Sequence, residues 1–72
     1  MKTKKEMIKE LVRQYVRQFE YGTNEWASAF CKHDYYENKI DRTYTKQGIE
    51  YWFNYYQTNG DINYVIRKLH ML

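Results

Sequence analysis

The 72 residues, 43% hydrophobic and 29% charged with a net charge of +3, make a chain too apolar and too evenly charged for intrinsic disorder, and of a length for one domain, 1–72. The single cysteine, Cys31, excludes an internal disulfide and suits a reducing compartment, and neither a membrane-spanning run nor a signal-peptide core follows the basic start MKTKK, so a cytoplasmic protein without membrane association is expected. Below about 80 residues one core rarely supplies more than ~3–5 kcal/mol, which makes close helix packing or a homodimer an expected source of further stability.

Thr3 followed by Glu6 has the form of a capping box, and Met7, Ile8, Leu11, Val12, Tyr15, Val16 and Phe19 then recur on one side at 100° per residue. A first helix is predicted from Thr3 to Tyr21, ended by Gly22 in a left-handed conformation. Asn24 is expected to cap a second helix with Glu25 in its first turn, and Trp26, Ala29, Phe30, His33 and Ile40 fall on one of its faces. The stretch KIDRTYT reads as a connection in which Asp41, Thr43 or Thr45 can cap the third helix.

The third helix contains five aromatic rings in six positions, EYWFNYY, and ends at Asn59-Gly60, which is also a strong hairpin signal. Counting matches decides between them: Ile49, Trp52, Phe53 and Tyr56 share a helical face, whereas a strand would split Trp52 from Phe53. Past Gly60, Asp61 can cap a fourth helix whose stripe is Ile62, Val65, Ile66, Leu69 and Leu72. The fold class expected is all-α, a bundle of three to four short helices, the alternative being α+β with a C-terminal β-hairpin around Asn59-Gly60.

Nine tyrosines are more than so small a core can take. Adding Tyr51 and Tyr55 widens the aromatic arc of the third helix to roughly 200°, beyond one packing face. Tyrosine is enriched at binding interfaces because it offers large contact area with few rotamers to freeze. Tyr35, Tyr36, Tyr44, Tyr51 and Tyr55 are therefore the expected partner-binding anchors, with Arg67 and Lys68 as rim charges.

Lys9, Arg13 and Arg17 form a basic row on the first helix, but Glu6, Glu10 and Glu20 lie within i+3 or i+4 reach, so a neutralised solvent face is expected there. Cys31, His33, Asp34 and the distant His70 resemble a metal or thiol–imidazole set only superficially, because helical neighbours two apart do not face each other. No catalytic residue, cofactor or metal is expected, and no Gly-rich phosphate loop or zinc-protease pattern is present. The function expected is a non-enzymatic protein-binding module, a small regulator or inhibitor of a larger protein of the kind phages and mobile elements carry. The rival is a nucleic-acid-binding protein, with Lys and Arg of the first and last helices on phosphates and tyrosines stacked on bases.

Overall fold

The computed structural model describes residues 2–70 and contains five helices, α1 (Lys4–Arg17), α2 (Asn24–Cys31), α3 (His33–Thr43), α4 (Lys46–Asn59) and α5 (Ile62–His70). Leu72 and the side chain of His70 lie outside the described residues. The all-α class holds, with no strand among the described residues, so the hairpin alternative falls. The helix count is corrected from three or four to five.

The capping box forms as predicted, the Thr3 N–H donating to Glu6 Oε1 at 2.7 Å and the Glu6 N–H to Thr3 Oγ1 at 3.1 Å. The bond from the Thr3 N–H, and then the Thr3 side chain, hold the Glu6 carboxyl below the usual carboxylate range. Stability drawn from this bond is present at neutral pH and is lost as pH falls through that depressed value. In melting experiments, Glu6→Gln should therefore lie below wild type near pH 7 and converge on it in acid; a gap that does not narrow would contradict the cap.

α1 ends four residues earlier than Tyr21, at Arg17. Gly22 does take a positive φ of 88°, but within the loop rather than as the helix cap. Thr23, not Asn24, caps α2, accepting the Trp26 N–H at 3.2 Å.

The predicted second helix is two helices because its hydrogen-bond ladder is broken at Lys32, whose φ of −98° and ψ of 3° leave the helical region. His33 Nδ1 lies 2.6 Å from the Phe30 carbonyl oxygen. A carbonyl only accepts, so Nδ1 donates, and the imidazole bonds back to the last turn of α2 at the point where the ladder breaks. A side chain inserted into the ladder is a recognised cause of a kink. α3 restarts with the Tyr36 N–H on the Lys32 carbonyl at 2.9 Å and runs through Asp41 to Thr43, across most of the stretch read as a connection. Asp41 is thus no cap; its carbonyl accepts from Lys4 Nζ at 2.8 Å, tying the end of α3 to the start of α1.

Thr45 caps α4, accepting the Gly48 N–H at 3.2 Å, and Asp61 Oδ1 accepts the Tyr64 N–H at 3.1 Å at the start of α5. Between these helices Gly60 sits at φ 74° and donates to the Tyr56 carbonyl at 2.8 Å. A Cβ built on Gly60 meets nothing within 4 Å, so a substitution there costs backbone strain alone. Gly60→Ala should destabilise by about 1 kcal/mol and Gly60→Val by more. For a domain this size each kcal/mol is worth about 4–8 °C in melting temperature, and two unchanged melts would contradict the helix-stop role.

α1 is the central helix and packs against all four others; α2 touches only α1 and α3. The core is built from Ile8, Leu11 and Val12 of α1, Ile40 of α3, Ile49 of α4 and Val65 and Leu69 of α5, all at most 2% exposed. α2 contributes only Ala29 to it. Trp52, expected in the core, is half-buried and packs against it from the side. No described helix is long and apolar enough to cross a membrane.

Candidate functional site

Because α2 packs only against α1 and α3, its aromatic face is covered only in part. Trp26 is half-buried, Phe30 is 49% exposed, and Tyr21 in the preceding loop is 81% exposed. Their rings form a ladder: Tyr21 to Trp26 at 4.5 Å between centroids, Trp26 stacked on Phe30 at 5.1 Å, and Phe30 beside His33 at 5.0 Å.

Beneath the ladder, α1 and α2 leave an open groove of about 330 Å³ lined by Val12, Val16, Trp26 and Phe30, with Arg13 and Arg17 on the α1 side and His33 and Glu37 on the α3 side. On its other flank α2 borders a second groove, with Tyr15, Phe19 and Tyr36 among its walls. Burial, followed by the neighbouring Tyr36, pushes the Tyr15 phenol above its ordinary value.

The glutamates expected beside the basic row of α1 do not pair with it directly among the described residues. Glu6 is engaged with Thr3, and Glu10 pairs with Lys2 at 3.3 Å. Among the described residues Lys9, Arg13 and Arg17 make no ion pair. The basic row is available to something outside the chain.

The seven residues expected to bind a partner do not form one surface. Tyr51 is 62% exposed and Tyr35 54% exposed, on different helices. Tyr36 is buried, with its ring edge-on to Tyr15 at 5.9 Å. Its place in the core was visible in its spacing, seven residues after Ala29 and four before Ile40. Tyr44 is half-buried and its hydroxyl donates to the Lys68 carbonyl at 2.8 Å, which makes it a strut between the α3–α4 junction and α5. Tyr55 is half-buried between Trp52, 5.5 Å away, and Tyr64, 5.5 Å away.

Tyr51, Trp52, Tyr55 and Tyr64 thus form a second aromatic patch, with Lys68 Nζ 5.5 Å above the Tyr64 ring. Arg67 is exposed on the same helix. Tyr35 lies beside the buried Tyr36 at 6.1 Å between centroids and under Lys39 Nζ at 5.9 Å. Tyr21 and Phe30, the most exposed members of the ladder, were missed, Phe30 because its helical spacing is that of a core residue.

His33, Asp34 and Glu37 offer ligand atoms within 4.8 Å of one another. With Nδ1 donating to Phe30, Nε2 faces Asp34 Oδ1 at 3.2 Å, and His33 and Glu37 stand one helical turn apart. Glu37, rather than Cys31, is what could join His33 in holding a cation; Cys31 is exposed and outside this group. In comparisons with known proteins, no family model, curated protein or solved structure matches the chain.

Proposed function

We propose that the chain is a non-enzymatic protein-binding module, a small regulator or inhibitor that acts by occupying a surface of a larger protein. The observation that carries this reading is the partly exposed Tyr21–Trp26–Phe30 ladder, on α2 and the loop before it, above an apolar groove. Large rings exposed next to a preformed groove and flanked by arginine have the composition of interface hot spots. The free, exposed thiol of Cys31 supports a reducing, cytoplasmic setting. The interface is centred on α1 and α2, with the Tyr51 patch on α4 and α5 as a separate, smaller surface.

A nucleic-acid reading draws on the unpaired Lys9, Arg13 and Arg17. Base stacking needs free ring faces, however, and Trp26 and Phe30 already stack on each other, with Tyr21 and His33 tilted against their other sides. Oligonucleotide binding at near-physiological salt, falling steeply as salt rises and lost on Arg13→Glu, would favour this second reading over the first.

The test of the protein-binding reading is capture from a host lysate with two baits, wild type and Tyr21→Ser/Phe30→Ser, alongside light scattering on each. A protein retained by wild type and lost from the double variant is the expected result. Partners retained equally by both baits would place binding away from the ladder.

A further inference from the structure

The groove between α1 and α2 has an apolar floor and one strongly basic wall. Val12, Val16, Trp26 and Phe30 supply the floor, and Arg13 and Arg17 stand along the α1 side, both exposed and without an acidic partner among the described residues. We infer that the occupant of this groove is an acidic amphipathic helix presented by the partner protein, an inference that rests on the protein-binding reading above.

Arg13 and Arg17 are one turn apart, about 5–6 Å along the helix surface, the spacing at which a second helix presents carboxylates at i and i+4. A helix laid along the groove can set apolar side chains between Val16 and Phe30 while that acidic flank meets the arginines, the helix-in-groove mode of recognition. Glu37 on the opposite wall repels acids, so the flank facing α3 is neutral or basic. The occupant therefore carries its acidic residues on one side only.

Charge also argues against a second copy of this chain seated head to tail. Its other exposed aromatic surface, around Tyr51 and Tyr64, carries Lys68 and would bring a cation toward Arg13 and Arg17. Arginine on carboxylate within a partly desolvated groove is the stronger pairing.

The probe is a display library of helical peptides, apolar at i, i+4 and i+7 and randomised elsewhere. It is selected in parallel on wild type and on Arg13→Glu/Arg17→Glu, with circular dichroism confirming that both baits are folded. Wild type should enrich acids on one flank, and the charge-reversed bait should enrich Lys or Arg at the same positions. A peptide selected on wild type should lose at least tenfold in affinity on the double variant and weaken as salt rises.

Peptides without acidic preference that are still lost on Phe30→Ala would overturn the acidic occupant and leave the protein-binding groove standing. Peptides indifferent to both Phe30→Ala and the arginine reversal would overturn the two together. Failure to enrich any helix, or a wild-type dimer in light scattering that Phe30→Ala dissolves, would show that the occupant is not a partner's acidic helix.

Discussion

Leu11→Ala is expected to abolish the cooperative thermal transition and most of the helical circular dichroism at 25 °C. Leu11 is 0% exposed on the one helix that touches all the others, so the cavity it leaves opens at the junction of α1 with its neighbours. Truncating a buried leucine costs about 2–5 kcal/mol, comparable with the whole ~3–5 kcal/mol expected of a core this small. Leu11→Met, which conserves volume, should stay folded at a cost below about 1.5 kcal/mol. A Leu11→Ala chain that still melts cooperatively within a few degrees of wild type would mean that the packing around α1 is misassigned.

The second large effect is expected at Phe30, in binding rather than in stability. Its ring is half out of water and belongs to α2, which gives the core only Ala29, so Phe30→Ala should cost about 1 kcal/mol of stability or less. Binding to a partner captured by the wild-type chain should fall by about 2 kcal/mol or more, roughly 30-fold, as truncation of an interface anchor commonly does. Tyr51→Ala removes a ring of comparable exposure on the far helix and should leave that affinity unchanged. If Tyr51→Ala is the damaging change and Phe30→Ala the silent one, the interface lies on α4 and α5.

The fold was legible in the sequence wherever a cap and a stripe agreed. Thr3 with Glu6, Thr45, Gly60 and Asp61 each satisfy a backbone group at a helix end, and the described stripe residues of α1 and α5 supply much of the core. The break at Lys32 was not legible, because no glycine, proline or side-chain cap marks it and the apolar spacing runs on across it.

The excess of aromatic rings was legible too, but its location was not. Periodicity gives the face a residue occupies on its own helix and leaves open whether another helix covers that face. Phe30 has the spacing of a core residue and stays exposed because α2 is peripheral, whereas Tyr36 was read as an anchor and is buried against Tyr15. Which groups the glutamates of α1 pair with was not legible for a related reason. Several residues stand within reach of each glutamate, and the Thr3 backbone and Lys2 took Glu6 and Glu10 first.

The most direct measurement is site-specific photo-crosslinking in living cells, with the crosslinking amino acid introduced singly at Tyr21, Phe30, Tyr35 and Tyr51, all exposed positions. A covalent adduct with one partner protein from Tyr21 and Phe30, and none with that protein from Tyr35 or Tyr51, is the predicted result. Adducts that form from Tyr51 or Tyr35 while Tyr21 and Phe30 give none would contradict the assignment of the α1–α2 groove as the binding surface.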